Sequence, residues 1–269
     1  MNSKPKHIVA VASGKGGVGK STVAMNLAIA LKLRGLSVGL LDADVYGPSQ
    51  QHMLGVDDSV TPEQQDGKYL LPVEVQGIKS MSMGYLSSAK TPMVWRGPMA
   101  SSALVQMLEQ TLWGDIDILL VDMPPGTGDI QLTLSQKASL SGAIIVTTPQ
   151  DIALLDARKG VEMFAKVEVP ILGIVQNMAV HVCSQCGHAE HVFGQDGALT
   201  MAQEYNVDVL ANLPLSMAVR VAADAGQSIV EVAPDGPEAR ALFDAADAVI
   251  ARLASAEPVK MPTISMGDD

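Results

Sequence analysis

A glycine-rich run between two apolar stretches constrains the fold of this chain most. Residues 14–21 read G-K-G-G-V-G-K-S, which matches the pattern G-x-x-x-x-G-K-[ST]. The run follows the strand-like stretch Ile8–Ala12 and precedes Ser21–Arg34, whose apolar residues recur at helical spacing up to Gly35. A strand, a glycine loop and a helix in this order predict a phosphate-binding loop, and their coincidence disfavours an incidental glycine-rich turn.

Each residue type in such a loop has its own task. Glycines let backbone N–H groups turn toward a phosphate, Lys20 would neutralise the β- and γ-oxygens, and the Ser21 hydroxyl would bind Mg²⁺. Thr22 would start the helix. The residues predicted to bind the nucleotide are Gly14, Gly16, Gly17, Val18, Gly19, Lys20, Ser21 and Thr22.

Short apolar runs alternate with helix-like segments along nearly the whole chain. The predicted strands are Ile8–Ala12, Val38–Leu41, Ile78–Met83, Ile116–Val121, Ala143–Thr147, Ile171–Gln176 and Val209–Leu213. The predicted helices are Ser21–Arg34, Gly97–Trp113, Ile130–Ser139, Asp151–Ala165, Ala198–Tyr205, Ser216–Ala225 and Pro237–Leu253. This alternation indicates an α/β fold with a doubly wound, mostly parallel sheet in a single domain, residues 1–255.

Three segments depart from the alternation. Gly55–Gly77 holds a strand-like stretch, Lys68–Val75, among turn residues, and we expect a hairpin there. Met178–Gly197 lies between a strand and a helix and contains both cysteines, which indicates an insertion. Residues 256–269 contain prolines and terminal aspartates and are predicted to form a flexible tail.

Acidic residues follow two of the predicted strands. Asp122 ends an apolar strand and opens a glycine–proline loop that runs to Asp129, which predicts a carboxylate that holds Mg²⁺ through water and a loop that senses the γ-phosphate. Asp42 and Asp44 follow the second strand, at the sheet edge where an α/β fold binds its ligands. A carboxylate there can orient the attacking water, although two acids at this spacing can also cap a helix.

The chain has only two cysteines, Cys183 and Cys186, in a C-x-x-C pattern. A [4Fe-4S] cluster takes four thiolates, so a symmetric dimer would supply the set from two chains. Two alternatives remain: a zinc site completed by His181, His188 or His191, whose ligands would be unusually crowded, and a thioredoxin-like redox pair. A structural disulfide is disfavoured because no export signal is seen.

Composition excludes several classes of protein. The chain carries 29 acidic against 18 basic residues, a net charge of −11, and no cluster of lysine or arginine, which argues against nucleic acid as a partner. Although 48% of its 269 residues are hydrophobic, no apolar run reaches the length of a membrane span, so no membrane association is expected. The start has no signal h-region, which predicts a cytoplasmic protein.

The phosphate loop also resembles a known variant. With Lys15 the run reads K-G-G-x-G-K-[ST], which is similar to the deviant Walker A motif of the family that includes the nitrogenase iron protein and the MinD/ParA ATPases. The resemblance implies that Lys15 reaches the nucleotide of a partner subunit, that Asp44 orients water and that Asp42 lies nearer the metal. It also implies that Asn177 contacts adenine, although a capping role for this asparagine is nearly as well supported by its position.

Several motifs together resemble the Mrp/ApbC-type iron-sulfur cluster carrier ATPases over about residues 5 to 253. The matching segments are Lys15–Thr22, Asp42–Ser49, Trp95–Met99, Asp122–Asp129, Asn177–Met178 and Cys183–Gly187. The resemblance implies a homodimer that binds ATP and Mg²⁺, hydrolyses ATP slowly as a switch, and bridges a [4Fe-4S] cluster between Cys183 and Cys186 of both chains. Its expected partners are cluster-assembly scaffolds and apo iron-sulfur proteins.

Two other functions remain open at this stage. A MinD/ParA-like positioning ATPase would share the phosphate loop, but it would leave the cysteine pair unexplained and would be expected to end in a basic amphipathic helix. A P-loop synthetase acting on a small molecule would need a substrate pocket that the sequence does not identify.

Overall fold

The computed structural model describes residues 4–86 and 97–255. Its strands are β1 His7–Ala12, β2 Val38–Asp42, β3 Gln64–Gln65, β4 Tyr69–Leu70, β5 Val73–Val75, β6 Ile78–Ser82, β7 Ile118–Asp122, β8 Gly142–Thr147, β9 Ile171–Gln176, β10 His181–Val182, β11 Ala189–Glu190 and β12 Val209–Asn212. Its helices are α1 Lys20–Leu33, α2 Gln50–Met53, α3 Gly97–Gln110, α4 Asp129–Lys137, α5 Asp151–Lys166, α6 Gly197–Tyr205, α7 Met217–Asp224, α8 Ile229–Val232 and α9 Pro237–Ser255, with a 3-10 turn at Met83–Leu86.

Eight strands form one sheet in the order β12-β9-β8-β1-β7-β2-β6-β5, and every neighbouring pair is parallel except β5 with β6. The central strands are buried on both faces, as apolar runs in parallel sheets require. Helices α1, α8 and α9 pack in one core and helices α3 to α6 in the other. The predicted doubly wound α/β fold is therefore confirmed.

The order of the strands brings the two acidic strand ends together. Strand β7 lies between β1 and β2, and Asp122 pairs in register with Val11 on one side and with Asp42 on the other. Both aspartates are the last residues of their strands and therefore lie at the carboxyl edge of the sheet. The carboxyl edge of the sheet thus meets the glycine loop that follows β1.

The prediction of a single strand over Lys68–Val75 is wrong. The structure divides it into β4, which forms a small antiparallel hairpin with β3, and β5, which adds an antiparallel edge strand to the main sheet. Pro72 separates the two because it has no N–H to donate to a ladder. The hairpin expected within Gly55–Gly77 is present.

Some predictions fall outside the described residues. Trp95 and Arg96 of the motif Trp95–Met99 are not described, and neither is the tail at 256–269. In the part of the chain that is described, no helix combines the length and the apolar character needed to cross a bilayer.

Candidate functional site

The glycine loop is shaped by two left-handed glycines and by close packing. Gly17 and Gly19 adopt φ values of 82° and 81°, a region that residues with a Cβ rarely enter. A Cβ on Gly14 would lie 2.1 Å from the main chain of Asp156 on α5. Helix α1 starts at Lys20, directly after the loop, so its free N–H groups face the loop. The loop therefore has the backbone geometry that surrounds a phosphate.

Lys20 and Asp122 form a buried ion pair at the base of this loop. The Lys20 ammonium bonds Asp122 Oδ1 and donates to Ser21 Oγ at 3.2 Å. The lysine side chain is 6% exposed and the aspartate is fully buried. Each charge compensates the cost of burying the other, so neither is stable there alone. The structure thus brings together the predicted phosphate lysine, the predicted metal carboxylate and the predicted metal hydroxyl.

Asp42 is held by the loop that follows it. Its Oδ2 accepts hydrogen bonds from the backbone of Ser49 and Gln50 and from Ser82 Oγ, at 3.0 to 3.1 Å, and its Oδ1 accepts from the backbone of Asp44 at 3.1 Å. Burial, and next the charge of Asp122, raises the pKa of Asp42 to about 7. Asp42 therefore has the hydrogen bonds of a helix cap, because it accepts from the backbone amides at the start of α2.

Asp44 is half-buried at the same edge of the sheet. Burial raises its pKa above the ordinary range, and the charge of Lys20 acts in the opposite direction. Asp44 is therefore a better proton acceptor than an exposed aspartate, which suits a carboxylate that orients water.

Gln50 is a site residue that the sequence prediction missed. It is fully buried, and its Nε2 donates to Asp122 Oδ2 at 2.8 Å and to the main-chain oxygen of Ser21 at 3.0 Å. Its Oε1 has no hydrogen-bond partner among the described residues. A single glutamine has no motif or periodic signal, and its position depends on the fold of residues 43–49.

The loop after Asp122 is attached at its start and exposed further on. Gly126 donates its N–H to the Ser13 carbonyl at 3.0 Å, and Gln131 Nε2 bonds the Pro124 carbonyl. Residues 127–129 are exposed. Two anchors next to the glycine loop and an exposed end are the features expected of a segment that responds to the γ-phosphate.

Asn177 connects the end of β9 to the glycine loop. Its Nδ2 donates to the Val18 carbonyl at 2.9 Å, and a Cβ on Gly19 would lie 2.2 Å from this same nitrogen. A cavity of about 370 Å³ opens next to it. The cavity lining includes Thr22, Asn26, Pro214, Leu215 and Arg220. A nucleoside fits a partly apolar space of this size next to a phosphate loop.

Lys15 differs from Lys20 in its surroundings. Its side chain is half-exposed, and the ammonium makes no hydrogen bond or ion pair with the residues that the structure describes. Its backbone carbonyl accepts from Ser13 Oγ at 2.9 Å, which fixes the loop but leaves the side chain free.

The two cysteines lie on a small antiparallel hairpin of residues 181–190, called here the cysteine hairpin. Strands β10 and β11 pair His181 with Glu190, and Cys183 N donates to the His188 carbonyl at 2.9 Å. Cys186 is exposed and Cys183 is half-buried, and both are free thiols. The backbone N–H groups of Cys186 and Gln185 lower the pKa of the Cys183 thiol, so it favours the thiolate that binds metals.

The histidines do not complete a metal site with these thiols. Across residues 4–86 and 97–255, no group of three or more His, Cys, Asp or Glu side chains is placed to hold a metal ion. His191 instead uses Nδ1 to contact the Ala179 carbonyl at 2.9 Å. Among the described residues of one chain, the arrangement of side chains thus gives no support to the zinc alternative.

The main chain joins the cysteine hairpin to the cavity beside Asn177. Leu213 N donates to Gln176 O, Ala179 N to Leu213 O and Leu215 N to Val180 O, at 2.8 to 2.9 Å. The segments that follow β9 and β12 therefore run side by side as a ribbon. Leu215 lines the cavity and also pairs with His181 of the hairpin.

Comparison with known proteins identifies the family. The sequence matches the family described as "ParA: NUBPL iron-transfer P-loop NTPase" over residues 4–250. It is 60% identical over 232 residues to an iron-sulfur cluster carrier protein of Pseudomonas fragi, an alignment that covers 86% of this chain and 81% of that protein.

Solved structures share the fold. A nucleotide-binding protein from Archaeoglobus fulgidus, in complex with ADP, superposes with a TM-score of 0.76 at 35% identity, covering 88% of this chain and 92% of that one. The cell division ATPase MinD of Pyrococcus furiosus superposes with a TM-score of 0.68 at 24% identity, covering 92% and 99%.

The resemblance to the Mrp/ApbC-type carriers is confirmed by these matches, whereas the likeness to MinD extends to the fold alone. A positioning ATPase is therefore not favoured. With its glycine loop, its acidic strand ends and its match over residues 4–250, the chain belongs to the NUBPL iron-transfer family of P-loop NTPases.

Proposed function

We propose that this chain is an ATP-hydrolysing iron-sulfur cluster carrier, which holds a [4Fe-4S] cluster between two copies of itself and passes it to apo-proteins. The observation that carries the proposal is the ribbon between the two sites. The ribbon begins at Asn177, which bonds the glycine loop, and leads into the cysteine hairpin, where Cys186 is exposed and Cys183 is half-buried. A nucleotide site and a pair of accessible thiols on one continuous structure are what a nucleotide-controlled carrier needs.

The phosphate site, defined here as Gly14–Ser21 with Asp42, Gln50 and Asp122, fits Mg²⁺. Mg²⁺ prefers oxygen ligands and keeps several of its waters. The Ser21 hydroxyl, the Asp122 carboxylate and Gln50 Oε1, which has no partner among the described residues, would provide oxygen atoms for the metal or for its waters. When bound, Mg²⁺ offsets the negative charge of the phosphates.

Lys20 and Asp122 exchange partners when nucleotide binds. The Lys20 ammonium leaves Asp122 for the β- and γ-oxygens, which carry more charge than one carboxylate. With the lysine gone, Asp122 Oδ1 would be available to hold Mg²⁺ through its waters. Asp44, whose pKa is raised by burial, orients the attacking water.

Lys15 links the nucleotide to the dimer. Its ammonium is half-exposed and free of partners in the described chain, so it can reach a second subunit. A cation supplied in trans stabilises the charge of the phosphoryl transition state, as arginine fingers do. Hydrolysis in this arrangement depends on association of two chains and serves as a switch.

Two thiols from each chain complete the cluster site. A two-fold axis near the cysteine hairpin would bring four thiolates together, which is the number that a [4Fe-4S] cluster takes. Cys186 is exposed, so thiolates of a recipient protein can approach the cargo and replace those of the carrier.

Anaerobic reconstitution with iron and sulfide tests this function. We expect about four iron and four sulfide per dimer, with the absorbance of a [4Fe-4S] cluster. Cys183→Ala and Cys186→Ala should each abolish cluster binding and leave ATP binding within about twofold, because the thiols do not line the nucleotide cavity. The double variant tests both at once.

Ser184→Ala is the matched control, since Ser184 lies between the cysteines and is exposed. It should retain the full cluster. A double cysteine variant that keeps its iron and sulfide, or a native chain that binds zinc in preference to a cluster, would overturn the proposal.

A further inference from the structure

Gln50 contacts each of the three residues predicted to surround Mg²⁺. Its side-chain nitrogen bonds the Asp122 carboxylate and the Ser21 carbonyl, and its backbone N–H donates to Asp42 Oδ2 at 3.0 Å. It is the first residue of α2, and its side chain is fully buried. One uncharged residue thus connects the strand ends of β2 and β7 with the glycine loop.

The orientation of the Gln50 amide follows from its neighbours. Asp122 Oδ2 and the Ser21 carbonyl oxygen are both acceptors, so the NH₂ group must face them. The other end of the amide, Oε1, is buried and lacks a hydrogen bond among the described residues. A buried acceptor of this kind requires a donor, and a metal-bound water is one.

We propose that Gln50 is a positioning residue for the magnesium site, which keeps Asp122 oriented after Lys20 has moved to the phosphate and accepts a hydrogen bond from a magnesium-bound water. This inference rests on the proposed nucleotide function and adds a residue to it. In the structure described here Asp122 has two side-chain partners, Lys20 on Oδ1 and Gln50 on Oδ2. When Lys20 leaves, Gln50 is the side-chain partner that still holds Asp122.

The chemistry of an amide suits this task. A carboxylate at residue 50 would be a third acid beside Asp42 and Asp122 and would have no hydrogen to donate when ionised. An apolar side chain of similar size would leave Asp122 Oδ2 and the Ser21 carbonyl without their donor. Residues that orient metal ligands in this way typically change metal affinity 10- to 100-fold when replaced.

The test separates magnesium binding from nucleotide binding. The affinity of the full chain for a fluorescent ADP analogue is measured in EDTA, and the half-saturating Mg²⁺ concentration is then measured at saturating analogue. For Gln50→Met, which keeps the length of the side chain, we expect a half-saturating Mg²⁺ concentration about tenfold higher, a change that exceeds any change in the affinity measured in EDTA.

Gln51→Met is the matched control, because the neighbouring glutamine bonds the Asp57 carbonyl, away from the phosphate site. It should leave the half-saturating Mg²⁺ concentration unchanged. If Gln50→Met does not bind the analogue even in EDTA, Gln50→Asn replaces it in the test. This variant keeps the amide, but its shorter side chain cannot reach both acceptors. Its half-saturating Mg²⁺ concentration should be at least about threefold higher than that of the native chain.

The outcomes distinguish the two proposals. A native chain that does not bind the analogue with Mg²⁺ would overturn the nucleotide function itself. A native chain that binds it normally, together with a Gln50 variant whose half-saturating Mg²⁺ concentration equals that of the native chain, would overturn only the role of Gln50.

Discussion

The phosphate site and the cysteine hairpin hold their reactive groups in different ways. In the phosphate site Lys20, Gln50 and Asp122 are buried, and Lys20 and Gln50 both bond Asp122 from separate helices. In the cysteine hairpin Cys186 is exposed and Cys183 is half-buried, and the support around the thiols is local main-chain bonding, such as Cys183 N to His188 O. A site that must exclude water around phosphates needs tertiary support, whereas a site that releases its cargo needs access.

This difference predicts that replacing the buried, bonded side chains of the phosphate site costs folding stability and that replacing the thiols of the cysteine hairpin does not. Lys20→Ala removes the only cation from a buried cluster that contains Asp122 and Asp42, among the residues described. We expect a loss of about 3–5 kcal/mol in the free energy of unfolding, measured by urea denaturation, together with loss of ATP binding.

Cys183→Ala is the comparison for that measurement. A substitution at an exposed hairpin should change the free energy of unfolding by less than about 0.5 kcal/mol. If both variants unfold at the same urea concentration, the buried ion pair contributes no more to folding stability than the thiol of the hairpin does.

A pair of glycine substitutions sharpens the comparison at similar φ values. Gly19 and Gly187 have similar φ values, 81° and 72°, but a Cβ would meet Asn177 Nδ2 at 2.2 Å in the first case and nothing within 4 Å in the second. Gly187→Ala should cost about 1–2 kcal/mol from backbone strain alone.

Gly19→Ala should cost about 1 kcal/mol more than Gly187→Ala, because the Asn177 amide must move and lose its bond to the Val18 carbonyl. Thermal and urea denaturation of both variants measure the difference. Equal costs would mean that the contact between β9 and the glycine loop contributes nothing to stability.

A small effect on stability, like that of Cys183→Ala, is expected at Lys15, which belongs to the glycine loop but is half-exposed without a partner in the described chain. Lys15→Ala should change the free energy of unfolding by less than about 0.5 kcal/mol and abolish ATP-dependent dimerisation. Light scattering after size-exclusion chromatography, with and without ATP, provides the measurement. A stable Lys15→Ala variant that still dimerises with ATP would contradict the proposal that Lys15 contacts the nucleotide of the second subunit.

The sequence predicts the fold well because apolar runs and helical periodicity record burial directly. It predicts Gly14–Ser21 and Asp122 as site residues because strand, loop and helix must occur in that order to bind phosphate. It fails where structure depends on a few residues: Pro72 divides a predicted strand, and the four-residue helix α2 is too short for any periodic signal.

Gln50 was missed for the same reason, since its role depends on α2 and on the distance to β7. For Asp42 the two readings, metal-shell acid and helix cap, differ only in hydrogen bonds that the sequence does not contain, and the structure places Ser49, Gln50 and Ser82 around one of its oxygens.

The ribbon after β9 and β12 has a mechanical consequence. Leu215 lines the nucleotide cavity, and its N–H bonds the carbonyl of Val180, three residues before Cys183. Hydrogen-bonded main chains, and not an unpaired loop, therefore span most of the distance from the cavity to the thiol. A paired ribbon resists bending and carries a small displacement or twist along its length. We therefore expect the position of the two thiols to depend on what occupies the cavity, and an insertion in either strand of the ribbon should weaken that dependence.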